Sequence, residues 1–234
     1  MPNRRGASSW AIPVGVIAVA LILIVTVIAQ GSENRPGPEV PPQAGESQQP
    51  GLTGVERRDP DDLLAVGPVD APIGLVVFSD YQCPYCAAWN HDTLPEMMTH
   101  VDAGDLRIEW RDVNVFGEAS ERAARASYAA ALQDRYWDYH DALFEGGEKL
   151  PESQLTEGAL IDLADRLGLD TDRFTTDLNS DQTRQEVERN ASEGINLGVT
   201  ATPAFILAGQ PIVGAQPTAV FVDAVDAALE TAGG

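Results

Sequence analysis

The chain has 234 residues, with 36 acidic against 15 basic side chains and a formal net charge of −21. A field of that sign repels phosphate backbones and argues against nucleic acid as a partner. Its only two cysteines, Cys83 and Cys86, exclude a disulfide-rich scaffold and a four-cysteine zinc module.

Residues 1–9 are a short stub holding Arg4 and Arg5, and an uncharged apolar run follows over 10–29. About twenty helical residues span about 30 Å, the thickness of a bilayer core. The arginines in front of it place the N-terminus in the cytoplasm and everything after Ala29 outside. The expectation is a single-pass plasma-membrane anchor. A cleaved signal peptide is the alternative, with Val27 and Ala29 before the cut, although such peptides carry apolar runs of only about 7–15 residues. Either way the rest of the chain is exported. Residues 30–60 are rich in Pro, Gly, Gln and Glu. They predict a disordered linker, because they bury too little surface to offset chain entropy.

The remainder, 61–234, has the size of one ordinary domain. Ile73–Ser79 (IGLVVFS) predicts a buried central strand. Pro84 to about Val101 predicts a helix with Pro84 in its first turn and a kink at Pro95. Leu106–Val115 alternates and predicts a second strand. Helical segments follow at Glu118–Gln133, Tyr136–Phe144, Thr156–Leu167 and Asp181–Leu197, with shorter pieces between. Ala204–Leu207 and Pro211–Val213 predict a hairpin turning at Gly209-Gln210, and a last helix runs from about Pro217 to Leu229. The order implies an α/β sheet interrupted by a helical insertion.

Cys83-Pro84-Tyr85-Cys86 falls where the first strand hands over to its helix. Cys83 takes the N-cap position, where the helix dipole and free N–H groups lower a thiol's pKa. The thiolate is the attacking species in disulfide exchange, and Cys86 lies within one turn of it. Two other readings compete. A structural disulfide here would close so short a loop that it stabilises by about 2 kcal/mol, against nearly 5 for a 100-residue loop. A half zinc site lacks partners, since His91, His100 and His140 show no metal-ligand spacing. Thr202-Pro203 stands directly before a predicted strand, where a proline is either cis in a tight turn or an ordinary trans residue.

FSDYQCPYC, the block containing YWDYHDALF, and GVTATPAFILAGQPIVGAQP together resemble the DsbA-like thiol:disulfide oxidoreductases of the thioredoxin superfamily. The resemblance spans roughly Leu63 to Ala232. It implies a thioredoxin fold with a helical insertion at about 118–197. Cys83 would be the exposed nucleophile and Cys86 its buried partner, with Pro84 and Tyr85 tuning the pair. Pro203 would be a cis-proline facing them, and the Thr202 backbone would bind the client chain. Two positions depart from the pattern. Val77 stands where several members carry a buried acid, and nearby Asp80 reads as a solvated or capping residue. The dipeptide Pro84-Tyr85 is that of glutaredoxins, whose potentials are about −200 to −230 mV against about −120 mV for DsbA.

Tyr136, Tyr139, His140 and Phe144 read as insertion core, and Met97 and Met98 as packing and surface contact. Trp89, one turn after Cys86, either lines the site or packs. The functional expectation is an extracytoplasmic enzyme that introduces disulfides into reduced exported proteins. The cysteine pair serves as its redox group, with no cofactor or metal, and a quinone-linked membrane oxidase of the DsbB or VKOR type recycles it. A reductase or isomerase of the same fold and a non-catalytic binding module are the alternatives.

Overall fold

A computed structural model describes Leu52 and residues 54–233. The expected stub, anchor and most of the linker lie outside the described residues. Among the described residues no helix is long and apolar enough to cross a membrane.

The sheet has five strands: β1 Ala65–Val66, β2 Ile73–Ser79, β3 Leu106–Asp112, β4 Ala204–Leu207 and β5 Gln210–Val213. They lie in the order β1-β3-β2-β4-β5. β2 and β3 run parallel in a register that sets Ile73 beside Leu106 and Ser79 beside Asp112. β4 joins the other side of β2 antiparallel, with Leu75 opposite Leu207 and Phe78 opposite Ala204. Every residue of β2 is buried, as its continuous apolar run requires of a strand covered on both faces. Leu75 and Val77 face the main core, whereas Val76 and Phe78 face a smaller cluster with Val55, Val113 and Ile206.

Helices α1 Pro84–Asp92 and α2 Leu94–Asp102 replace the single kinked helix expected from the sequence. The break falls at Thr93, because Pro95 cannot donate back to the preceding turn and its ring crowds it. The insertion comprises α3 Glu118–Ala131, α4 Tyr136–Leu143, α5 Glu157–Arg166, α6 Thr171–Leu178 and α7 Asp181–Asn196, and α8 Thr218–Ala232 closes the chain. α7 lies so close to the sheet that a Cβ on Gly194 would sit 2.4 Å from Val113 Cγ1. β3 ends three residues before the expected Val115, since Asn114 turns the chain away at φ 54°. The hairpin turns at Ala208-Gly209, one residue earlier than expected, and Gln210 joins β5.

One boundary needs correction. The linker was expected to reach residue 60, yet Leu52 and 54–60 belong to the folded domain. The Leu52 N–H donates to Gly209 O (3.1 Å), and the N–H groups of Arg57 and Arg58 donate to the Glu109 carboxylate at 2.9 and 2.8 Å. All seven residues of β3 are buried despite the alternation of its sequence. Arg107, Glu109 and Arg111 lie under this N-terminal strap and α7. Arg111 pairs with Glu109 at 2.9 Å and with Asp62 at 3.0 Å, and Arg57 pairs with Glu193 of α7. Burial raises the Glu109 carboxyl. The two backbone donors, Arg111 and Arg107 outweigh that and hold it below the usual range.

Candidate active site

The C-terminal ends of β2 and β3 and the N-terminus of α1 converge on the cysteine pair. Cys83 occupies the N-cap of α1 with extended dihedrals, and Pro84 takes the first helical position, where no N–H is needed. The Cys83 carbonyl accepts from the N–H groups of Cys86 (3.1 Å) and Ala87 (3.2 Å), and its own N–H donates to Asp80 O (3.0 Å). The Thr202–Pro203 peptide is cis and lies against the pair. In its protonated form the Cys83 thiol donates to Thr202 O at 3.2 Å.

Cys83 is therefore not the exposed group the resemblance implies: both sulfurs are buried, each residue being 1% exposed. The Cys83 side chain turns inward beneath the buried Thr202–Pro203 segment and leaves Pro84 and Tyr85 at the surface, Tyr85 being 67% exposed.

The two thiols differ. A hydrogen bond from Cys86 lowers the Cys83 pKa to about 6 against the effect of burial, helped by Thr202 and by the N–H groups of Cys86 and Tyr85. Burial pushes the Cys86 thiol far up, and its bond to Cys83 and the charge there add to this. The otherwise unpartnered Ser79 hydroxyl and the Asp80 backbone oppose it. Near neutral pH the site thus holds a Cys83 thiolate next to a Cys86 thiol. A low-pKa sulfur is the better leaving group, so a mixed disulfide at Cys83 releases Cys83 readily as its thiolate.

Asp80 is not solvated. It is fully buried and accepts from the Gln82 N–H (2.7 Å), the Phe116 N–H (3.0 Å) and the Ser120 hydroxyl (2.5 Å), which fixes the turn before Cys83. Gln82 is also held from the insertion: its amide donates to Leu150 O (2.8 Å), and Lys149, the sole lysine, donates to its Oε1 at 3.2 Å. Trp89 packs rather than lining a surface. It lies against Phe205 and Phe221 with ring centroids 4.7 and 5.5 Å away. Tyr136, Tyr139, His140 and Phe144 are all buried, as are Met97 and, in part, Met98.

Asp112 carries no signal in the sequence that sets it apart from the other acids. The register of β2 with β3 puts its side chain beside Ser79, on the face of the sheet that carries the pair. It is 2% exposed and accepts from Trp110 Nε1 at 3.1 Å. Burial raises its carboxyl to about 8, with the nearby Asp80 adding to the rise. Among the described residues no group of three or more His, Cys, Asp or Glu could hold a metal ion.

A helix-capping thiolate, a buried thiol one turn on and a cis-proline loop against them, all on this sheet, define a thiol–disulfide exchange centre of the thioredoxin type. Residues 60–227 match the family described as Thioredoxin, and the chain belongs to it. Its relatives include disulfide bond formation protein D of Bacillus subtilis, 30% identical over 144 residues. That match takes in 60% of this chain and 65% of the relative, just under two thirds of its length. The crystal structure of oxidised BdbD from Bacillus subtilis superposes with a TM-score of 0.65 at 26% identity, over 71% of this chain and 92% of that one. Wolbachia pipientis alpha-DsbA1 shares the fold at a TM-score of 0.65 and 21% identity, over 74% of this chain and 94% of that one.

Proposed function

We infer that the protein is an extracytoplasmic thiol:disulfide oxidoreductase that forms disulfides in exported proteins. The observation that carries this reading is the geometry of the pair, with Cys83 at the N-cap of α1, Cys86 one turn on and the cis Thr202–Pro203 peptide against them; the lowered Cys83 pKa and the raised Cys86 pKa agree with it. A client thiolate attacks the Cys83 sulfur of the Cys83–Cys86 disulfide. The S–S bond breaks, and Cys86 leaves and takes up a proton. A second client thiolate attacks the client sulfur of the mixed disulfide. Cys83 departs as the thiolate that the helix N-terminus stabilises, and the client gains a disulfide. Thr202 offers its backbone to the client chain beside Pro203, and Pro84 and Tyr85 set the reactivity of the pair. Exposed Phe116 and Val213 add apolar surface near the loop, alongside a groove of about 200 Å³ lined by Leu197, Val199, Ala201 and Ala204.

The cysteines themselves carry the two electrons, so no cofactor is required. A quinone-linked membrane thiol oxidase of the DsbB or VKOR type fits as the recycling partner, since the reduced pair must pass its electrons on. The uncharged run 10–29 behind Arg4 and Arg5 supports a single-pass anchor with the domain outside the cytoplasm. Disulfides form and persist in that compartment. The reading is tested by oxidative refolding of a reduced model client. Cys83→Ser abolishes the activity; retention of full activity would refute it. A reductase remains the second reading, because Tyr85 adds no cation to the thiolate, and the potential of the pair separates the two.

A further inference from the structure

We propose that His140, on α4 of the insertion, is a positioning residue for the cysteine pair, tying together the two chain segments that flank Cys83 and Cys86. Its Nδ1 lies 3.0 Å from the Tyr81 hydroxyl, and Tyr81 is two residues before Cys83. Its Nε2 lies 2.8 Å from Asn90 Oδ1, and Asn90 is on α1, one turn past Cys86. The bond directions follow from the partners. Asn90 Oδ1 can only accept, so Nε2 carries the proton; Nδ1 of the neutral ring then accepts from the Tyr81 hydroxyl. The Asn90 side chain is in turn bonded to Asp141, the residue after His140.

The ring has no exposed surface. Trp110 stands edge-on at 4.3 Å, with Phe144 and Trp137 at 5.3 and 5.4 Å, so neighbouring rings hold its plane. Burial takes its pKa down to about 3, and the imidazole stays neutral while the thiols titrate. A phenyl ring would fill this box without desolvating two nitrogens. What the imidazole adds is two directed bonds, one to each side of the pair. Tyr81 also stacks on Phe144 at 5.0 Å, so the turn entering Cys83 is fixed against α4 from two directions. The clamp sets where the Cys83 sulfur lies relative to the N–H groups of Tyr85 and Cys86, and so how well they stabilise its charge. The inference rests on the reading that Cys83 is the attacked sulfur.

The test is the pH dependence of Cys83 alkylation in the reduced full-length chain. His140→Phe and Tyr81→Phe should each raise the midpoint by about one unit, a tenfold loss of thiolate below it. The double variant should shift it no further than His140→Phe alone, since that substitution already removes the bond to Tyr81. Tyr139→Phe is the control: it loses an equally buried bond in the same helix, from its hydroxyl to Leu160 O (2.8 Å), and should leave the thiol titration unchanged. Tyr81→Phe removes only a hydroxyl and serves even if His140→Phe fails to fold. Unshifted midpoints in Tyr81→Phe and His140→Phe, or an equal shift in Tyr139→Phe, would overturn the clamp alone. A wild-type chain with no fast thiol would overturn both the clamp and the oxidoreductase reading.

Discussion

Asp112 makes stability depend on pH in a direction opposite to that of an ordinary surface carboxylate. In the unfolded chain its pKa is about 3.9. In the folded domain burial raises it to about 8. Between those values the folded state holds a proton that the unfolded state has released, so stability falls as pH rises through the window. About four units at 1.36 kcal/mol each set an upper bound of about 5 kcal/mol, and relaxation around the carboxyl should reduce this to about 2–4. Asp112→Asn keeps an oxygen for the Trp110 Nε1–H bond and removes the titration. Urea unfolding followed by tryptophan fluorescence should show the variant gaining on the wild type by that amount between pH 4 and pH 8. The thiols contribute their own slopes. Cys83, lowered to about 6, adds stability as pH rises from there towards the unfolded value of about 8.5. That contribution is common to both proteins and cancels in the difference. A difference between the two proteins that stays constant across the pH range would refute the reasoning.

Two other outcomes follow from the same geometry. Glu109→Ala takes one of its carboxylate partners from Arg111, which has no exposed side-chain surface, and their acceptor from the Arg57 and Arg58 N–H groups, and should destabilise the domain by about 3–5 kcal/mol in urea titrations; a loss below 1 kcal/mol would show the network to be dispensable. Cys86→Ser incubated with oxidised glutathione should take up one glutathione at Cys83, whereas Cys83→Ser should take up almost none because Cys86 stays protonated; intact mass distinguishes them, and the reverse pattern would reassign the nucleophile.

Much of this architecture is written locally in the chain. β2 and β4 occupy the ranges that their apolar runs predict, because a run of that composition and length has few alternatives to a buried strand. The cysteines, Pro84 and the Thr202–Pro203 peptide come together at one end of the sheet, as the family resemblance implies. What stayed illegible depends on register and on the third dimension. Nothing in LRIEWRD announces that the strap and α7 would cover the polar side of β3 with matching charges. Asp112 is an ordinary acid until the pairing of β2 with β3 sets it beside Ser79. The inward turn of Cys83 is equally nonlocal, since its bond to Thr202 joins residues 119 apart in the chain. Asp80 could be read either way, and only the Phe116 and Ser120 donors decide that it is buried.

On the proposed function, a stabilised thiolate at Cys83 makes the pair a donor of disulfides. A stable reduced form means an oxidising disulfide. Equilibrating the full-length protein with glutathione buffers and reading the fraction of Cys83–Cys86 disulfide gives the potential directly. A value more positive than about −180 mV is the result expected of an oxidase. A value near or below about −250 mV would contradict the account, since such a pair would take disulfides from its clients and act as a reductase.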